Sequence, residues 1–188
     1  MKRYLRSAIV IFLSSFVILF GALAHAEKPQ SIVIGLQGNP YDSPEPACVA
    51  IQLGALLLQQ SKHAEVTLFA SVDGVGIADA NELNGDNGKL ECNTLIPNPD
   101  YPEDPDAPQM ILATIDLFDV VSNYLNAGGK MLACPMCWVV YSQTTIAGLI
   151  PPCSDDVGED EICSPEAGQV ISTNPAPLLL NADKSFDY

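Results

Sequence analysis

Six cysteines, at positions 48, 92, 134, 137, 153 and 163, carry the richest chemistry in this 188-residue chain. Two of them are three apart in Cys134-Pro-Met-Cys137, directly after the apolar run Lys130-Met-Leu-Ala133. Such a run reads as a strand, and proline suits the first position of a helix. Cys134 then takes the N-cap and Cys137 the first turn. Unpaired N–H groups and the positive end of the helix dipole there favour thiolate over thiol. A thiolate so placed attacks disulfides, accepts sulfane sulfur as a persulfide, or binds a soft metal. The structural alternative is a closed, inert disulfide.

The charged residues narrow the field. The formal net charge is −15, and beyond residue 26 there are five lysines, no arginine, all 23 acids and one histidine, His63. A polyanion cannot neutralise phosphates, so nucleic acid is excluded as a partner. Bidentate arginine recognition and multi-histidine metal sites are excluded with it. No cofactor and no metal site is expected. Asp79, Asn84, Asp86 and Glu91 fail the EF-hand register, since Leu83 and Leu90 fall where oxygen ligands are needed. Asp155, Asp156, Glu159, Asp160 and Glu161 read as a solvated acidic loop. Gly35-Leu-Gln-Gly38 lacks the third glycine of a dinucleotide loop. His63 reads as a surface residue near a helix end.

Residues 1–26 have the make-up of a cleaved export signal. Lys2, Arg3 and Arg6 precede an apolar run from Ala8 to Leu23, and Ala24-His25-Ala26 offers small residues to a signal peptidase. An uncleaved membrane anchor is the competing reading. Cleavage leaves residues 27–188 as one domain, periplasmic or secreted, with no membrane attachment. All six cysteines lie in that part, in a compartment where disulfides persist.

The elements that must position the cysteines follow from the pattern. Ser31–Leu36 and Ala64–Ala70 read as strands, with a helix over Ala47–Gln60 between them; strand, helix, strand implies parallel pairing. Residues 79–108, rich in Asn, Gly and Pro, read as an insertion without periodic signal. Gln109–Asn126 has helical spacing ended by Gly128-Gly129, and Trp138–Thr145 reads as a short helix. Strands at Gln169–Ser172 and Lys184–Tyr188 flank a helical turn at Leu178–Leu180. The fold class expected is α/β: a single doubly wound, mostly parallel sheet of about five strands flanked by helices. In such a sheet Cys134 and Cys137 occupy the carboxyl edge, where ligands bind.

The remaining candidates surround that edge. Cys48 opens the first helix and is either a third redox thiol near Cys134 and Cys137 or the disulfide partner of Cys92. Cys153 and Cys163 close a short acidic loop as a local disulfide. With both pairs formed, Cys134 and Cys137 are left as the free or reversible pair. Asp73, in the turn after the second strand, lines the same edge or caps the next helix. Trp138 either shields the sulfurs or fills the core.

Four pieces, in order, resemble the DsrE/DsrF-like family of small α/β sulfur-relay proteins. They are Ile32–Gln60; Ala64-Glu-Val-Thr-Leu-Phe-Ala-Ser-Val-Asp-Gly-Val75; Leu125-Asn-Ala-Gly-Gly-Lys-Met-Leu-Ala-Cys-Pro-Met-Cys137; and Leu180-Asn-Ala-Asp-Lys-Ser-Phe-Asp-Tyr188. Residues 79–108 and the 153–163 loop stand outside them as additions. The resemblance implies a sulfur-carrying cysteine in the strand–helix turn. Cys137 would be the carrier, Cys134 its resolving partner, and the assembly a trimer or hexamer; the dipole argument alone favours Cys134. The function implied is sulfane-sulfur or thiol-redox handling with a sulfur-donor or thiol-bearing protein partner, as a sulfurtransferase or carrier. The alternative is a non-enzymatic binding or assembly module with structural cysteines. A thioredoxin-like oxidoreductase fits less well, because its Cys-x-x-Cys follows an early strand.

Overall fold

The structure, a computed structural model, describes residues 30–61, 63–97, 110–142, 148–158 and 160–188. The export signal, most of the proline-rich stretch and the end of the expected 138–145 helix lie outside the described residues.

Strand β1 (Gln30–Leu36) leads into α1 (Pro44–Gln60) and β2 (Ala64–Ala70). A 3₁₀ turn (Val72–Ala78), α2 (Ala80–Asn84) and a second 3₁₀ turn (Asp86–Lys89) follow, then β3 (Glu91–Pro97) and β4 (Met110–Asp116). The chain continues through α3 (Leu117–Asn126), β5 (Lys130–Ala133), α4 (Pro135–Ser142), β6 (Val170–Ser172), α5 (Ala176–Asn181) and β7 (Lys184–Asp187). Five strands form one sheet in the order β6-β5-β2-β1-β7, and every pairing in it is parallel. The fold is α/β, a parallel sheet flanked by helices.

Strand alternation decides the two faces. Ile32, Ile34, Leu36, Val66, Leu68, Ala70, Met131 and Ala133 point to one side. There they pack against Ala47, Ala50 and Ile51 of α1, Val120, Val121 and Leu125 of α3, and Trp138 of α4. The other side carries Thr67, Leu132 and Ile171, over which Pro177 and Leu178 of α5 form a groove of about 390 Å³. The reversal after β6 places β7 beside β1, and with it α5 on the second face, as a doubly wound sheet requires.

The expected helix over Gln109–Asn126 is divided. Its first half is β4, paired antiparallel with β3, with Cys92 opposite Ile115. Ile111, Ala113 and Ile115 are half-buried while Leu112, Thr114 and Asp116 are exposed, a period of two. The β-branched isoleucines suit that pleat, but their spacing also matches a helix face, so periodicity alone could not separate the two. The helical turn and strand at 80–84 and 91–97 likewise replace the irregular excursion expected over that part of 79–108.

Tyr124 fixes the start of β5. Its ring lies between Gly54 of α1 and Gly129, where a side-chain carbon at either glycine would collide with it. Its hydroxyl accepts from the Leu68 N–H at 3.1 Å and donates to the Lys130 carbonyl at 2.6 Å. Burial pushes this phenol well above its ordinary range, so it stays protonated.

Candidate functional site

The site is assembled where β2 and β5 end side by side. Ala70 is paired with Ala133, and the Cys134 N–H donates to the Ala70 carbonyl at 2.9 Å, extending the ladder by one residue. Pro135 then opens α4, and the Trp138 N–H donates to the Cys134 carbonyl at 2.9 Å, the first hydrogen bond of the helix. Cys134 is therefore the N-cap, the place its sequence neighbours assign it. The Cys137 N–H donates to Cys134 Sγ at 3.3 Å, the geometry in which an N-cap side chain satisfies the third helical N–H.

The two sulfurs are joined, with a Cα–Cα separation of 5.3 Å. Both residues are half-buried, and Cys137 packs against the core. When that bond opens, the donated N–H and the helix end favour negative charge on Cys134 in particular. Cys134 is the better leaving thiolate, so an incoming nucleophile is directed to Cys137.

The other cysteines are elsewhere. Cys48, 3% exposed in α1, is bonded to Cys92, 0% exposed in β3. It is not a third thiol of the site. β2 intervenes between β1 and β5 in the sheet, so the helix after β1 does not face the turn after β5. Cys153 is bonded to Cys163. Their loop is anchored rather than wholly solvated: Ile162 is buried in the core and its N–H donates to Asn84 Oδ1 at 2.8 Å. Asp155, Asp156, Asp160 and Glu161 remain exposed around it. Among the described residues, no cluster of His, Cys, Asp and Glu could hold a metal ion.

Asp73 is exposed in the 3₁₀ turn that follows β2, on the cysteine-bearing edge. Trp138 does not line the site. It is 1% exposed and fills the core beneath the disulfide, because the residue after Cys137 starts the inward face of α4.

Two features at this edge have no clear sequence signal. Val72, two residues past Ala70, is held at φ 51°, a conformation that disfavours β-branched side chains. It is also 57% exposed. On α4, Met136, Val139 and Val140 are 77%, 60% and 78% exposed, and their spacing puts them on one helix face. Only the apolar run itself could have hinted at a helix so hydrophobic on its outer side.

No protein-family model matches the chain, and no curated protein does. Four chains of solved structures match it. One is the crystal structure of the ychN protein from E. coli, 18% identical with a TM-score of 0.49; the match covers 85% of this chain and 99% of that one.

Proposed function

We propose that the chain is an exported protein of the DsrE/DsrF-like kind that handles sulfane sulfur or thiol redox through the Cys134–Cys137 pair. The observation that carries this reading is the sulfur pair at the carboxyl edge of a parallel sheet, with Cys134 Sγ accepting a helix N–H. The three disulfides suit an oxidising compartment. The trimer or hexamer that the sequence resemblance implies belongs to the same reading.

The chemistry is sulfur exchange. Hydrosulfide, or another sulfur nucleophile, attacks Cys137 Sγ; the Cys134–Cys137 bond breaks as the new S–S bond forms. The electron pair of the broken bond leaves on Cys134 as a thiolate, stabilised by the Cys137 N–H. With hydrosulfide the product is a persulfide on Cys137. An acceptor thiolate that attacks the outer sulfur carries it away and leaves the Cys137 thiolate. Alternatively, Cys134 attacks Cys137 Sγ, expels hydrosulfide and restores the disulfide. Each step exchanges one S–S bond for another; on the delivery route the Cys134–Cys137 disulfide is itself the two-electron oxidant of hydrosulfide, and exchange with a further disulfide re-forms it.

Mass spectrometry tests this directly. The reduced protein, given a low-molecular persulfide donor, gains one sulfur atom on the peptide containing Cys137. Cys134→Ser keeps the adduct and Cys137→Ser loses it. Cysteines 134 and 137 that resist both the donor and alkylation after mild reduction would refute the reading and leave a binding module with structural cysteines.

A further inference from the structure

The surface around the sulfur pair says what kind of molecule meets it. Val72, Met136, Val139 and Val140 are all more than half exposed, three of them on one face of α4. The charged groups exposed at the same sheet edge are acids, among neutral residues such as Gln37, Ser43, Thr173 and Asn174: Asp42 and Glu45 after β1, Asp73 after β2, and Asp187 at the end of β7. Of the three described lysines, two are elsewhere and the third is already paired with an acid. Lys130 and Lys184 open β5 and β7 and so stand at the opposite edge. Lys130 is near Glu65 at 3.7 Å, and Lys89 is paired with Asp86 at 2.9 Å. A strand of four residues separates Lys130 from Cys134 by about 13 Å, beyond a Debye length of about 8 Å at physiological salt.

An anionic small molecule such as thiosulfate or a glutathione persulfide finds no counter-charge here and meets the repulsion of a chain of net charge −15. We infer that the sulfur donor or acceptor is a basic polypeptide. It would dock an apolar, thiol-bearing segment on Val72, Met136, Val139 and Val140, while its lysines and arginines face Asp42, Glu45, Asp73 and Asp187. The inference rests on the proposed use of the Cys134–Cys137 pair and adds the class of its partner. The strained φ of Val72 fits it: a β-branched residue in that conformation costs stability, and its exposed side chain returns nothing to the core.

Thiol–disulfide exchange provides the probe, with all atoms accounted for. The Cys137 thiolate of the reduced protein attacks a peptide disulfide; that bond breaks and one peptide sulfur leaves as a thiolate that takes a proton from water. The Cys134 thiolate, its proton given to solvent, then attacks Cys137 Sγ, restores the Cys134–Cys137 bond and releases the second peptide sulfur, which is protonated by water. Two electrons pass from protein to peptide.

The experiment uses two synthetic peptides with the same apolar disulfide segment, flanked by lysines in one and glutamates in the other, beside neutral 2-hydroxyethyl disulfide. At about 0.01 M salt the lysine peptide is expected to react at least about tenfold faster than the glutamate peptide. The difference should collapse at about 1 M salt. The Val139→Ser/Val140→Ser double variant should slow the lysine peptide severalfold more than it slows 2-hydroxyethyl disulfide. Equal rates for the two peptides, or equal slowing of peptide and small disulfide in the variant, overturns the inference. So does a concentration-dependent dimer that the double variant dissolves, since the patch would then be covered by a second copy. A reduced protein inert to all three disulfides would instead overturn the underlying redox reading.

Discussion

Removing one oxygen from Tyr124 tests how the cysteine-bearing strand is held. In Tyr124→Phe the ring keeps its slot between Gly54 and Gly129, so no cavity opens. The Leu68 N–H, 3.1 Å from the hydroxyl, and the Lys130 carbonyl, 2.6 Å from it, both lose that hydrogen bond. Tyr124 and Leu68 are 0% and 1% exposed, which denies water to this gap between β2 and β5. A typical intramolecular hydrogen bond contributes about 0.5–1.5 kcal/mol net. Two such bonds give about 1–3 kcal/mol, a sizeable share of the total stability of a domain this size. Urea unfolding followed by far-ultraviolet dichroism should show a lower midpoint with an unchanged slope. A loss under about 0.5 kcal/mol would mean that the hydroxyl does not tie the two strands. Tyr124→Leu should cost more than Tyr124→Phe, because it also empties the slot.

Three further outcomes are expected. Cys48→Ala/Cys92→Ala opens a link between residues 44 apart in sequence, against 10 for Cys153→Ala/Cys163→Ala. Chain entropy puts the losses at about 4 and about 3 kcal/mol, and an order reversed in urea unfolding would contradict that account. Val72→Asn should raise stability by about 1 kcal/mol, since asparagine tolerates φ 51° and the valine side chain is largely in solvent; a loss in thermal unfolding would show the valine to be packed. Asp79, 8% exposed, caps α2 by accepting from the Asn81 N–H at 3.0 Å, and burial holds its carboxyl above the ordinary 3.8. The folded state therefore keeps its proton longer than the unfolded state, and stability falls as pH rises from 3.8 through the raised value. Asp79→Asn retains a capping oxygen without that penalty. It should be the more stable form at neutral pH, with the difference vanishing in acid; a difference independent of pH in unfolding titrations would refute this.

The features legible in the sequence are local ones. β1, β2 and β5 are short runs rich in apolar residues, the first preceded by Pro29 and the last set between Gly129 and Cys134, and their parallel order follows from the helices between them. Cys134 as N-cap follows from Pro135 alone. The strand at Met110–Asp116 is hidden because Ile111, Leu112 and Ile115 satisfy either period, and only β3, brought back by a distant part of the chain, decides between them. The same is true of Tyr124, whose spacing marks it as apolar helix face while its hydroxyl bridges two strands. Cys48 comes near Cys134 only if the strands before them are neighbours; the sheet order inserts β2. Nothing in Ser71-Val72-Asp73 signals a left-handed valine.

The disulfides join each cysteine to the next one along the chain: 48 with 92, 134 with 137, and 153 with 163. A polypeptide emerging from a translocation channel with its amino end first, and oxidised in order of arrival, makes these bonds without scrambling. Under the proposed function, such an exported protein matures under a simple oxidase, with no isomerase to correct mispaired intermediates, and its Cys134–Cys137 link is broken and remade while the two neighbours stay locked.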